Sequence, residues 1–243
     1  WRGDPEAIKA IKAEADALLT EDTWLEGTVT EIEDLVASAK KAGKHIHIGD
    51  LMPICSIKHW ETPSLRRYKG RIVFRGDAVK DQDGAVAVFQ ELSASPITIH
   101  TSNSIIAYGC LPGHKTTQAD AIRAYVQSVL KSKNETWARI PKEFWPEHWH
   151  GKYRRPTCIL RKALYGHPES GGHWERHLTK AIRAIGGQPV PNHPSTFWIP
   201  ESKLLLTVYV DDLLLSGPSG AHDAFWNKLR HGPNPVNIED PEP

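Results

Sequence analysis

Residues 204–217 read as two short apolar strands with two adjacent carboxylates, Asp211 and Asp212, at the turn between them; Gly217 and Pro218 punctuate the far end. Side chains on a strand alternate in direction, so the two acids point apart unless the turn redirects one of them. One can then face a site while its neighbour supports it or serves as a second ligand. The plain alternative is an ordinary hairpin turn, where Asp is common because its side chain bonds the local backbone. A third acid, Asp120, follows Thr116 and Thr117. Taken alone, it reads as a helix N-cap or first-turn acid, where the macrodipole favours it.

Basic clusters are the second chemical feature. Arg66, Arg67, Lys69, Arg71 and Arg75 surround a β-prone core, and strand alternation would place Lys69, Arg71 and Arg75 on one face. That face would suit phosphates; equally, positive residues protect a solvated edge strand from aggregation. Lys152, Arg154, Arg155, Arg161 and Lys162 form a second cluster. His173 and His177 are four apart with Glu175 between them, and His at i and i+4 can share a metal. The Glu is misplaced for the metalloprotease pattern and no third ligand accompanies it. His45/His47 and His148/His150 are likewise pairs without a completing set.

The elements that must position these groups follow from periodicity. Apolar positions recur at three to four residues over 5–19, with Asp4 and Pro5 suited to the cap and first turn. A second helix is expected over 31–41 before Gly43, and residues 45–48 alternate like a strand. A polar loop occupies 77–90 and a connection 92–99. A helix-compatible run extends from Asp120 to about Lys133, and 135–149 is a packed loop rich in Trp and Pro, with short strands. A helix over 170–185 stops at Gly186 and Gly187, and a last helix spans 221–229. The Pro-rich acidic end, 232–243, reads as frayed.

Composition bounds the classes. With 243 residues, 40% hydrophobic and 24% charged, the chain can bury one large core or two small ones. Net charge is only +1, so any nucleic-acid footprint must come from local clustering rather than from a polybasic whole. No apolar run approaches the roughly 18–20 residues that cross a bilayer, and the start lacks a signal segment, which places the protein inside a cell and away from membranes. The absence of an initiator Met suggests an excised fragment or a piece of a longer polyprotein. Cys55, Cys110 and Cys158, odd in number and far apart, read as buried apolar fillers.

Taken in order, five segments resemble the reverse transcriptase of copia-type LTR retrotransposons. Residues 67–76 are similar to the fingers segment RYKARLVARG, and Gln118-Ala119-Asp120 with Tyr125 to QMDVKTAF. Pro141-Lys142-Glu143-Phe144 is similar to Gln-Pro-x-Gly-Phe, and Leu164-Tyr165-Gly166 with Trp174 to LYGLKQAPRAW. Tyr209-Val210-Asp211-Asp212 matches the YVDD box. The resemblance covers residues 14–229, approximately.

It implies an α+β fold made of the fingers and palm of a right-hand polymerase. The palm would be an antiparallel sheet bearing the Tyr-Val-Asp-Asp hairpin, with helices packed on one face and no thumb. Fingers would occupy about 40–115 and 135–163, and palm about 116–134 and 164–231, all within 1–231; 232–243 would be flexible. The implied activity is RNA-directed DNA polymerisation, a nucleotidyl transfer to a primer 3′ end using two Mg2+ ions, with Mn2+ as a substitute. Asp120 and Asp211 would be the bridging ligands and Asp212 the auxiliary acid, with the Asp120 strand beside the hairpin. Tyr125 would stack under the sugar as a steric gate. Lys69 and Arg71 would hold the triphosphate. Arg75, Arg161, Lys162 and Tyr209 would contact template or primer.

Glu169 falls where the family usually has Gln, so at the nucleotide site it would face the incoming phosphates with the wrong sign. With the thumb and RNase H regions beyond the chain, the grip on an RNA or DNA template-primer would be weak and salt-sensitive. The alternative is therefore a degenerate remnant that binds nucleic acid without catalysis. Other Pol modules, integrase and RNase H, would be partners within a longer chain. The implied compartment is the cytoplasm, in a virus-like particle, with the nucleus as a second location.

Overall fold

The computed structural model describes residues 3–89 and 97–243. The first two residues, the end of the 77–90 loop and the start of the 92–99 connection lie outside the described residues. In chain order the elements are α1 (Pro5–Thr20), β1 (Trp24–Glu31), α2 (Ile32–Ala42), β2 (Ile46–Lys58), β3 (Arg67–Phe74), β4 (Lys80–Asp81) and α3 (Ile99–Gly109). Then come β5 (His114–Asp120), β6 (Glu135–Arg139), β7 (Pro156–Leu160), α4 (Ser170–Ala184) and β8 (Gln188–Pro189). β9 (Thr196–Ile199), β10 (Leu204–Tyr209), β11 (Asp212–Pro218) and α5 (His222–His231) complete the chain. Among the described residues the structure is α+β, with two sheets. No helix among the described residues is long and apolar enough to cross a membrane.

The chain forms two compact units. The first comprises Trp1–Glu91 and Val129–Ser170, the second Leu92–Ser128 and Gly171–Pro243. These bounds differ from the expected division: residues 97–115 fall in the second unit because α3 packs on β5, β10 and β11, and 129–134 fall in the first.

The first unit holds a sheet of order β1-β7-β6-β2-β3, with β4 also on β2. Along β3, Gly70, Ile72 and Phe74 are buried while Arg67, Lys69 and Arg71 are exposed, the period of two expected of a half-buried strand. The buried face receives α1, whose Ala7, Ile11, Ala15 and Leu18 point inward. Contact there is close enough that a Cβ on Gly70 would lie 2.5 Å from the Ala10 carbonyl oxygen. Asp4 caps α1 by accepting from the Glu6 and Ala7 amides, and the Tyr68 hydroxyl also donates to it.

The second unit is built on an antiparallel sheet of order β5-β11-β10-β9-β8. Leu204, Leu206, Leu213 and Leu215 line one face and share a core with Trp174, Leu178 and Ile182 of α4 and Phe225 and Trp226 of α5. The opposite face carries Thr116 and Ser216, which hydrogen-bond at 2.7 Å. Gly109 of α3 sits against that pair, its absent Cβ within 1.9 Å of the Thr116 hydroxyl. Helices therefore occupy both faces of this sheet, which corrects the expectation of one.

Two local expectations also change. The run after Asp120 is not an α-helix; it turns at Arg123 (φ 48°) into a short 3-10 segment, Ala124–Gln127. Neighbouring chain captures its backbone: the Ala121 amide donates to the Asp211 carbonyl at 2.7 Å and the Ile122 amide to that of Asn237 at 2.9 Å. The 232–243 end is not frayed. Gln118 and Glu242 exchange both backbone hydrogen bonds, covering the free edge of β5. Val236 and Ile238 drive this docking, being 1% and 4% exposed. Of the cysteines, only Cys158 is buried, and burial pushes its thiol pKa up to about 12.

Candidate active site

The acids lie at one end of the second unit's sheet. Tyr209 and Asp212 pair across the β10–β11 hairpin, leaving Val210 and Asp211 as a two-residue turn. Val210 adopts φ 58°, left-handed backbone that is unfavourable for a β-branched residue and costs on the order of 1–3 kcal/mol unless the surroundings impose it. They do so through both turn carbonyls. The Trp174 indole Nε1 donates to the Val210 carbonyl at 2.6 Å, and the Ala121 amide holds the Asp211 carbonyl. Trp174 is 2% exposed and belongs to the core, so the clamp is anchored in packed structure.

Asp120 ends β5, directly opposite Asp212 in the β5–β11 register. The strand order thus brings together two acids 92 positions apart. Partial burial raises the Asp212 carboxyl above the ordinary range first, and the charges of Asp211 and Asp120 and a hydrogen bond with Asp120 raise it further. Among the described residues no ion pair reaches any of the three acids. The site is an open cluster of like charge.

Tyr125, on the 3-10 segment, packs against the same core, and its hydroxyl is held above its usual range first by burial and then by the charge of Asp211. Tyr209 is 53% exposed at the end of β10. A cavity of about 480 Å3 lies beside the turn, lined in part by Tyr125, Trp174, Leu178, Phe197, Val208 and Val210.

Among the described residues no group of three His, Cys, Asp or Glu side chains is placed to hold a metal ion. A closed cage is not what a hard cation such as Mg2+ requires: it binds through one or two carboxylates and keeps its other positions for water and phosphate oxygens. Asp120, Asp211 and Asp212 supply that donor type, and the repulsion that, after burial, lifts the Asp212 carboxyl is what a cation would relieve. The fit is one of donor type, carboxylate oxygen for a hard cation.

The other anticipated residues belong to the first unit. Lys69 and Arg71 are exposed on β3. Arg75 does not extend their face, because it lies past the strand end and pairs with Asp77 at 2.9 Å. Arg161 pairs with Asp22 at 2.8 Å, and the Lys162 amide donates to the Thr23 carbonyl. Glu169 does not present its charge to solvent: it is 6% exposed, accepts from the Ser132 hydroxyl and acts electrostatically on His47. In the second unit, His173 lies 2.9 Å from Arg176 and His177 stacks on Trp174. Residue types gave no warning of the Val210 strain or of the Ala121 clamp; two-residue hairpin geometry was the available signal.

No protein-family model matches the chain. Over 225 residues it is 27% identical to the Retrovirus-related Pol polyprotein from transposon RE1 of Arabidopsis thaliana. The similarity is to a retrotransposon Pol polyprotein. It covers 90% of this chain but only 14% of that protein, so the chain corresponds to a small part of its relative.

Proposed function

We propose that this chain is the reverse transcriptase portion of a copia-type retrotransposon Pol polyprotein, an RNA-directed DNA polymerase acting on a template with its primer. The observation that carries the reading is the register Asp212 opposite Asp120, with Asp211 on the clamped turn beside them. The distant similarity to a Pol polyprotein supports it.

In this reading Asp120 and Asp211 hold divalent cations and Asp212 assists. When bound, the ions stabilise charge on the attacking and leaving oxygens of an in-line displacement. The primer 3′-oxygen bonds to the α-phosphorus of a dNTP, losing its proton to solvent, as the bond to the pyrophosphate oxygen breaks. Tyr125 limits space at the sugar. Trp174 and Ala121 keep Asp211 in place, so little reorganisation accompanies the step.

A non-catalytic remnant is the second reading, resting on Glu169 at the position where the family carries Gln, although its inward placement removes the expected repulsion of the incoming phosphates. Primer extension on poly(rA)/oligo(dT) with magnesium separates the two. Incorporation by the parent chain and its loss in Asp211→Asn is the expected result. Equal incorporation by both refutes the catalytic assignment, and none from either favours the remnant.

A further inference from the structure

The β2–β3 ribbon of the first unit ends in a tip that the chemistry above leaves unused. α1 covers one face of β3 and leaves Arg67, Lys69 and Arg71 on the other. Lys58 stands directly opposite Arg67 in the register. Like charges so placed destabilise a strand pair, and among the described residues neither joins an ion pair. Between them lies Trp60, 59% exposed, a large aromatic where a polar turn residue would be ordinary. Arg66 braces it, its guanidinium 4.3 Å from the ring centroid and its Nε donating to the Trp60 carbonyl at 2.7 Å. Glu61 is the one acid in residues 58–71.

We infer that this tip is a stacking platform for single-stranded nucleic acid, with a base on Trp60 and the flanking phosphates on Lys58, Arg66 and Arg67. Edge protection accounts for cations along a strand but not for a braced, exposed indole among them. A flat aromatic surface within a cationic row is the combination that binds single strands with little sequence preference. The inference does not depend on the polymerase reading, since it needs neither nucleotide nor divalent cation.

The test is fluorescence anisotropy of labelled oligo(dT), oligo(rA) and a blunt duplex with the whole chain, without dNTP or magnesium. Trp60→Ala should weaken single-strand binding about five- to a hundredfold, Trp60→Phe should restore most of it, and the duplex should respond less. Lys58→Gln and Arg67→Gln should each reduce the slope of log affinity against log salt by about 0.7. Loss on either oligonucleotide supports the platform and tells which strand it takes. Unchanged single-strand binding by Trp60→Ala overturns it. So does a shift from dimer to monomer in sedimentation without any change in binding, which would make the tip a contact between copies of this chain.

Discussion

Replacing Asp212 by Asn removes one of three clustered like charges while nearly preserving shape. The Asp212 carboxyl is raised by burial and by the charges of Asp211 and Asp120, so the folded state holds its proton more tightly than the unfolded chain does. Stability then falls as pH rises through the unfolded carboxyl value of about 3.9 toward the higher folded value, and stays reduced above it. Because the residue is exposed, each neighbouring charge is screened to on the order of 1 kcal/mol. Asp212→Asn should therefore stabilise the protein by about 1–2 kcal/mol at neutral pH, raising Tm by about 2–8 °C for a chain of this size. Below the unfolded carboxyl range the advantage should vanish. Magnesium should act in the same direction on the parent, by about 2.7 kcal/mol at a hundredfold excess over its Kd, and less on the variant. Thermal melts across pH, with and without magnesium, read both effects. An unchanged or lower Tm for Asp212→Asn at neutral pH, together with no magnesium response in the parent, would refute the like-charge cluster.

Trp174→Phe removes the donor to the Val210 carbonyl and should cost about 1–3 kcal/mol by denaturant melting, with a larger fall in primer-extension rate than in template binding. His222 is fully buried, bonded to Thr117 at 2.8 Å, and held below its usual range first by burial. The unfolded chain takes up its proton first, so urea midpoints should fall as pH drops below about 6.5, and His222→Phe should flatten that slope. Gly70→Ala drives a methyl into the Ala10 carbonyl and should destabilise the first unit by about 1–3 kcal/mol or more, measured as a lower midpoint for that unit.

The helices α1, α2, α4 and α5 were legible because each joins a 3.6-residue apolar period to a stop or cap, such as Gly43 in left-handed conformation after α2. The β10–β11 hairpin was legible for the opposite reason: both flanks are continuously apolar, as a buried central pair must be. The 121–133 run misled because its apolar spacing is compatible with a helix, while the amides of Ala121 and Ile122 are taken by Asp211 and Asn237, residues remote in sequence. The 232–243 end misled because Pro and acids dominate its composition, hiding the two-residue spacing of Val236 and Ile238 that docks it on β5.

The candidate site shows the same division between local and remote causes. Asp211 and Asp212 were visible as a pair, but nothing local distinguished Asp120 from a helix cap; only the order of segments in a resembling family did. In the fold, the meaning of Asp120 comes from β11, which pairs with β5 on one side and β10 on the other. A central strand cannot shift register by one residue without sending its buried set, Leu213 and Leu215, to the opposite face. The placement of Asp212 opposite Asp120 is therefore enforced by the core beneath rather than by any attraction between the acids, which repel. That is how a cluster costly in its own right can persist: the leucines fix the register, Trp174 and Ala121 fix the turn, and the carboxylates are left neighbours without a compensating cation.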